Sequence, residues 1–513
     1  MKPHLLYADA DLDLAGDLPA HQAALRQDLG LDLLCGAMAG GDHLVFEVSK
    51  RALLFGLAEP EEVSYRQGVL ADTIAHPAVV RDLYRIAGEA VEAERKVWGL
   101  YSGSPQSVLS RALGATSVLS GYLRQLRNVA DEHAPGFCSE GFSRFFKVIE
   151  DELSDDYLRA IDSHLRSLRF DSGKLISARL GEGNTAVGFV LRSPKRRGWR
   201  ERLGALRSSG FSFEVSSRDE GGCRVLEDIQ ARAINLVANA LAQSAEHIRG
   251  FFSTLQAETA FYVGCLDLRE RLGHLGMRTS LPEALPTATC ALWAEGLYDV
   301  CLALRSGAAV VGNDLHANDK SLIVLTGANQ GGKSTFLRAI GLAQMMMQAG
   351  MFVPAASFRG SLRTGVFTHF KREEDKTMRS GKLDEELGRM STIADLVRRG
   401  SLLLCNESFA STNEREGSEI ARGVVEAMAS AGVRVVFVTH LFELANGLYA
   451  ENLPMRLFLR AERLIDGTRT FRLLEGAPLA TSHGRDCYEE VFGCSRESDC
   501  GYTAVGVSPP GEN

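Results

Sequence analysis

The segment Gly327-Ala328-Asn329-Gln330-Gly331-Gly332-Lys333-Ser334, entered from the apolar run Leu322-Ile323-Val324-Leu325, constrains this chain more than any other feature. It has the spacing of a phosphate-binding loop: a buried strand, a glycine-rich turn, then helix-forming residues from Phe336 to Met347. Glycines let backbone N–H groups crowd around phosphate oxygens, and the helix that follows turns its positive dipole end toward them. In such a loop Lys333 reaches the β- and γ-phosphates of ATP, and the Ser334 hydroxyl holds Mg²⁺. The fold class implied is an α/β domain whose strands feed chemistry at one edge of a largely parallel sheet.

The same logic recurs twice downstream. Ser401-Leu402-Leu403-Leu404-Cys405 reads as a strand that delivers Asn406 and Glu407 at its carboxyl end. An acidic residue there, beside bound Mg²⁺, orients and deprotonates an attacking water, which makes Glu407 the candidate general base. Val433 to Val438 reads as a third strand and delivers Thr439 and His440, placing an imidazole where it could hydrogen-bond the γ-phosphate. A strand-end His taken alone is more often structural; beside the other two motifs the functional reading is favoured.

Texture divides the rest. Residues 1–168 read as a helical core and lever, with apolar residues three and four apart in Tyr84–Trp98 and Val118–Ala130. Residues 169–225 switch to short β-favouring pieces, Leu175–Ala178, Val187–Leu191 and Phe211–Val215, between Gly, Pro and charged turns. Residues 226–307 open with a helical stripe through Leu226, Ile234, Leu241, Ile248 and Leu255, free of Gly and Pro from Arg224 to Arg249. That stretch alone spans about 40 Å, the length of an arm with the β-rich module at its far end. Residues 308–492 alternate strands and helices, and 493–513 read as a polar, disordered tail.

Composition excludes some classes. At 513 residues, 45% apolar and 24% charged, the chain is ordinary for a globular protein of several domains. Its start, Met1–Gly16, carries Asp9, Asp11 and Asp13 and lacks a signal-peptide core, and no run approaches the ~18 apolar residues of a membrane span, so the reading is cytoplasmic and not membrane-bound. Ten scattered cysteines without a C-x-x-C pair argue against a zinc ribbon and a disulfide framework. A net charge of −8 leaves nucleic-acid contact to a local patch or a shaped enclosure.

Taken in order, Asn313-Asp314-Leu315, Thr326–Thr335, Asn406-Glu407, Thr412–Gly417 and Thr439-His440-Leu441-Phe442-Glu443-Leu444 resemble the ATPase domain of the MutS mismatch-repair family. The family's phosphate loop reads T-G-x-N-x-G-G-K-S-T and its switch strand ends T-H-x-F-E-L, both far more specific than the generic pattern. The likeness covers about Val310 to Phe492, including Ser482-His483-Gly484 before a closing helix, and rests on architecture alone over Leu31 to Leu304.

The resemblance implies an ABC-like P-loop ATPase domain behind helical levers that carry a clamp, and a homodimer with composite ATP sites. It assigns nucleotide contacts to Asn313, which faces adenine, to Gly327, Ala328, Asn329, Gln330, Gly331, Gly332, Lys333, Ser334 and Thr335, and in trans to Thr412 and Asn413 of a segment that reaches the partner's nucleotide. Ser411, Thr412 and Asn413 also suit a helix N-cap, and both roles can hold together. Two departures stand out. Where the family ends its second strand Asp-Glu, this chain has Asn406, which keeps hydrogen bonds to magnesium's water shell and loses the charge, so weak Mg²⁺ binding and slow turnover are expected. The family's mismatch-reading Phe of an F-x-E motif has no counterpart here, and the two domains ahead of the core are expected to be absent.

For double-stranded DNA there remain the clamp-like module and its basic stretch, Arg192, Lys195, Arg196, Arg197 and Arg200 among them, suited to phosphate contacts that position a duplex without reading it. The charged run Lys371–Lys376, with Ser380-Gly381-Lys382 and Asp384-Glu385-Glu386, reads as a wet loop that could couple nucleotide state to the arms. Two function classes follow: a dimeric ATP-switched clamp on mismatched, branched or distorted DNA in repair or recombination, or a nucleotide-gated module acting on structured RNA or a protein partner.

Overall fold

The computed structural model describes residues 1–97, 104–170, 173–192, 214–216, 218–372, 381–464 and 468–479. Its contacts separate two units: Met1–Pro286 with Val300–Val310 and Leu342–Leu362, and Thr287–Asp299 with Val311–Gly341 and the residues from Arg363 on. The division interleaves, so that stretches distant in sequence share a unit. The physical reason is pairing: Leu292–Leu297 is a strand antiparallel to Asn313–His316, whereas Ser357–Ser361 runs parallel to Glu283–Leu285.

The described residues of the first unit between Gln22 and Leu168 are mostly helical. Its helices start where the sequence provides caps: Asp42 accepts from Leu44 N and Val45 N, and Ser104, Ser139 and Ser154 each accept from the N–H three residues on. Pro60 and Pro105 occupy first helical positions, where a missing N–H loses nothing. The strands Leu175–Leu180 and Ala186–Arg192 form an antiparallel hairpin, matching two of the expected β pieces; Glu214–Ser216 is described without a strand.

One helix, Glu220–His274, is 55 residues long, about 80 Å at 1.5 Å per residue, twice the expected arm. It runs straight through Gly250 and Gly264, residues that by local propensity would end or weaken it. Gly264 is tolerated because it is needed: an added Cβ would stand 2.9 Å from Val45 Cγ1 and 3.3 Å from Met38 Cβ, so two helices approach here through the missing side chain. The helix is asymmetric. From Phe251 to Leu272 it buries Phe252, Leu255, Phe261, Tyr262, Leu268 and Leu272, while its first thirty residues bury only Ala233, Ile234, Ala238 and Ala245. There Ile234 and Ala238 pack with Leu109, and Phe170 and the hairpin's Leu191 lie against that small cluster. The acidic start, Met1–Gly16, is not a loose end: Leu5 and Leu6 are buried, with Leu5 N donating to Glu258 Oε2 at 2.5 Å and Tyr262 Oη donating to Leu5 O at 2.5 Å.

The second unit is built on a six-stranded sheet in the order Arg469–Glu475, Arg456–Arg463, Leu322–Gly327, Arg434–Val438, Leu402–Asn406, Val366–Phe370. All run parallel except the antiparallel edge Arg469–Glu475. Buried Leu322, Val324, Leu403, Val435 and Phe437 join Ala421, Val425 and Leu444 of the flanking helices in one core. Near-continuous apolar strands are what a sheet covered on both faces demands. Because the ladder is parallel, Gly327, Asn406 and Val438 finish at the same edge.

The expected tail 493–513, Ser482-His483-Gly484 and Phe211–Phe213 lie outside the described residues. Among the described residues the seven cysteines form no disulfide, and no helix is long and apolar enough to cross a membrane.

Candidate nucleotide site

The central strand Leu322–Gly327 ends at Gly327, where a φ of +105° and the closeness of Ala461 N, 2.9 Å from where a Cβ would stand, admit glycine only. Gly331 is equally confined, since a Cβ would stand 2.6 Å from Ala461 Cβ. Between them Ala328 is buried while Asn329 and Gln330 are exposed, and Gln330 takes the left-handed φ of +58° with its Oε1 accepting from Arg469 Nη1 at 2.5 Å. The helix Lys333–Gln348 begins at once, Phe336 N donating to Gly332 O. Thr335 sits half-buried in its first turn.

Lys333 folds over the loop, donating to Gly327 O and Ala328 O at 2.8 Å each. Burial holds its ammonium below the usual lysine range, and the nearby Glu407 charge opposes that. Ser334 Oγ donates to Asn406 Oδ1 at 2.7 Å, so the hydroxyl and the amide read from separate motifs meet. Among the described residues no three His, Cys, Asp or Glu side chains cluster as a metal cage. A hydroxyl beside an amide oxygen at a phosphate loop is instead the sparse protein set with which Mg²⁺ is commonly held, phosphates and water completing its shell. The residues therefore fit a Mg²⁺–nucleotide, which Ser334 and Asn406 would help to hold.

Glu407 follows the strand directly. Its N–H donates to Val438 O at 2.9 Å, and its φ of +54° is left-handed, a conformation that side chains take only when their surroundings impose it. His440 is exposed just past Arg434–Val438, while Thr439 N donates to Leu325 O and Thr439 Oγ1 accepts from Leu441 N. His440, Thr326, Gly327, Glu414 and Phe442 help line a cavity of about 220 Å³.

Asn413 caps the helix Glu414–Ser430, its Oδ1 accepting from Glu416 N at 3.0 Å, and Thr412 Oγ1 donates to Glu416 Oε2 at 2.7 Å. The local role of the segment is thus filled within the chain. Asn313 is also engaged: its Nδ2 donates to Phe471 O and its Oδ1 accepts from Leu473 N at 2.7 Å, fixing the start of its strand against the edge strand. Arg192 ends the hairpin exposed, Nε donating to Ser177 Oγ, while Lys195, Arg196, Arg197 and Arg200 lie outside the described residues.

Three residues escaped sequence reasoning. Glu414 Oε1 accepts from Phe442 N at 2.9 Å, capping the helix behind His440. Glu386, read as part of a wet charged loop, is 3% exposed in the helix Lys382–Leu396; Glu373–Ser380 of that run lie outside the described residues. The signal was present in the spacing of Glu386, Met390 and Ile393, one helical face, and it was overridden by charge. His369, fully buried, offers Nε2 to Glu386 O at 3.0 Å and Nδ1 to Ser408 Oγ at 2.7 Å, and burial pushes its pKa down to about 4.

Residues 58–275 match the family described as MutS2 N-terminal domain, and residues 323–474 the one described as MutS domain V. The chain is 36% identical over 137 residues to the DNA mismatch repair protein MutS of Thermotoga neapolitana, covering 26% of this chain and 17% of that protein. It is 31% identical over 269 residues to the endonuclease MutS2 of Lacticaseibacillus paracasei, covering 49% and 33%. To the MutS protein homolog 4 of Mus musculus it is 27% identical over 223 residues, covering 43% and 22%. The matched stretches span a third or less of these relatives' lengths. With both family matches falling in order along the chain, and the phosphate loop, Asn406-Glu407 and His440 set at one sheet edge, the chain belongs to the MutS family.

Proposed function

We propose that this chain binds ATP with Mg²⁺ at the Gly327–Ser334 loop, hydrolyses it slowly, and works as a homodimeric, nucleotide-switched clamp on mismatched, branched or distorted duplex DNA. The observation that carries the reading is the bond between Ser334 Oγ and Asn406 Oδ1, which joins the loop to the strand end bearing Glu407. Ser334 and Asn406 would hold Mg²⁺ with the nucleotide, and the ion would supply charge neutralisation as the phosphates react. The chain's own part is to orient. Lys333 exchanges two loop carbonyls for phosphate oxygens, a stronger charge-assisted pairing that also offsets its burial. Glu407 takes a proton from the attacking water, and His440 donates toward the terminal phosphate. Asn406 retains the acceptor that Ser334 uses and lacks a carboxylate's charge, which supports a site better at holding ATP than at turning it over.

The relatives' printed names supply the DNA arm of the proposal, and the long helix with its hairpin and exposed Arg192 supplies a shape for it. Thr412 and Asn413 serve locally as caps and, in a second copy, as contacts to the partner's nucleotide. One binding and hydrolysis panel tests the whole: homoduplex, mismatched, branched and single-stranded DNA and RNA, with and without ATP, at two salt concentrations, for wild type, Glu407→Gln and Asn406→Asp. Expected are salt-sensitive duplex binding modulated by ATP, loss of hydrolysis by about 100-fold or more with ATP binding kept in Glu407→Gln, and a lower Mg²⁺ requirement in Asn406→Asp. Preference for RNA, or hydrolysis unchanged in both variants, would overturn it.

A further inference from the structure

We propose that Glu386 is a positioning residue that braces the turn after the strand Leu402–Asn406, holding Glu407 at the nucleotide and Ser411 at the start of the reaching segment. The inference rests on reading Glu407 as the general base, and it assigns a role to a carboxylate that no motif includes.

The turn is bound from one side by a single helix. Phe409 N donates to Glu386 Oε2 at 2.7 Å and Ser411 Oγ donates to Oε1 at 2.8 Å. A carboxylate that is 3% exposed needs such donors, because a buried charge without them is strongly disfavoured. The backbone carbonyl of the same residue takes the Nε2 hydrogen of His369 at 3.0 Å. A carbonyl only accepts, so the hydrogen of the neutral ring is on Nε2; Nδ1 lies 2.7 Å from Ser408 Oγ, and that hydroxyl also donates to His369 O at 2.7 Å. The His369 ring also stacks on Phe409, centroids 5.4 Å apart. Ser408, Phe409 and Ser411 are each tied down, directly or through His369, to Glu386.

The need for a brace lies in the backbone. Glu407 and Phe409 have φ of +54° and +63°, both left-handed and neither glycine. Such residues are disfavoured and persist only when over-determined by their surroundings. On the strand side, Asn406 O accepts from Lys371 N and Glu407 N donates to Val438 O, which fix where Glu407 begins. The Glu386 side fixes which way the chain leaves it. Freed there, Glu407 and Phe409 relax to right-handed conformations, and the Glu407 carboxylate swings off the strand end. Since Ser411 opens the segment that carries Thr412 and Asn413, the same carboxylate sets the base of one site and the contribution offered to a partner's site.

The test pairs amide exchange at Ser408–Ser411, measured without nucleotide, with ATP hydrolysis, for Glu386→Ala, Glu386→Asp and Glu386→Gln. Gln preserves the geometry, its amide oxygen accepting from Phe409 N and its NH₂ donating to Ser411 Oγ, whereas Asp falls one methylene short. Glu386→Ala and Glu386→Asp should exchange Phe409 N–H at least about tenfold faster and lose about 10- to 100-fold in kcat with KM for ATP within about threefold, while Glu386→Gln stays within about threefold of wild type on every readout. Should the Ala variant fail to fold, the Asp and Gln pair decides. Unchanged exchange in Asp and Ala overturns the brace, as does a Gln variant as damaged as Ala, or a KM that rises in step with the fall in kcat. Glu407→Gln hydrolysing ATP at the wild-type rate overturns the general-base reading instead, and the exchange data tell that failure from the first.

Discussion

Arg434 in the sheet-bearing unit and Arg66 in the helical unit are both buried, 2% and 0% exposed, and both hold backbone that no ladder reaches, by different chemistry. Arg434 spreads its guanidinium over main-chain carbonyls: Nε to Lys320 O, Nη1 to Ala291 O, and Nη2 to Cys290 O and Ala317 O, at 2.6 to 3.4 Å. Arg66 bonds only Leu6 O and Ala349 O, and Nη2 has no hydrogen-bond partner among the described residues. It lies instead over the rings of Tyr7 and Phe261, in the field of the buried Glu258. Carbonyls do not titrate and carboxylates do. The surroundings of Arg66 should therefore respond to pH where the carbonyls around Arg434 do not.

The largest effect tests the carbonyl staple. Arg434→Met removes the donor of at least three buried or part-buried carbonyls, and we expect a loss of about 3–5 kcal/mol in the unfolding free energy of that unit, read by denaturant titration. Arg66→Met, with fewer carbonyls to orphan, should lose less; an equal loss would erase the distinction between the two arginines.

Next comes Glu258. Burial raises its pKa from 4.5 to about 7, despite the N–H groups of Leu5 and Leu6 that pull it down. With the folded pKa above the unfolded one, the native state binds the extra proton, so its contribution is present below pH ~4.5 and is lost as pH rises toward 7. The shift corresponds to about 3 kcal/mol across that window. Glu258→Gln, which can still accept from Leu5 N, should flatten the difference, and a wild-type stability curve parallel to the variant's from pH 4.5 to 7 would show that the carboxyl does not carry it.

The smallest effect asks how far close packing extends along the helix Glu220–His274. Gly264→Ala forces a methyl against Val45 and Met38 and should destabilise by about 1–3 kcal/mol. Gly250→Ala meets nothing within 4 Å and should stabilise by about 0.5–1 kcal/mol, through helix propensity alone. Thermal unfolding of the two variants separates an anchored half from an arm, and equal signs would contradict that division.

The sheet-edge chemistry was legible because it is local. Residues 322–334 carry strand, turn and helix start in one stretch, and the strand ends at Asn406 and His440 follow from apolar runs of ordinary length. Glu386 was not legible in the same way: its carboxylate serves Phe409 and Ser411, more than twenty residues away, and three consecutive acids look like a solvated surface when the partner segment is unknown. The length of the Glu220–His274 helix was missed for a related reason. Glycine ordinarily weakens a helix, and the preference for Gly264 comes from a neighbouring helix that the local pattern does not contain.

What the residues alone specify is the kind of chemistry to look for: a phosphate-loop pattern, a candidate general base with an amide where a carboxylate would be expected, and an imidazole, each tied to a strand end by spacing that a parallel sheet can use. Tertiary structure alone decided which of these groups meet and which are already committed. It joined Ser334 to Asn406, gave both sides of the Asn313 amide to the edge strand, used Asn413 as a cap, and buried Glu386 against the turn that follows Glu407. Spacing along a chain fixes periodicity over a few residues, whereas partners across a sheet are set by which strands lie side by side, and that is settled only when the whole core packs.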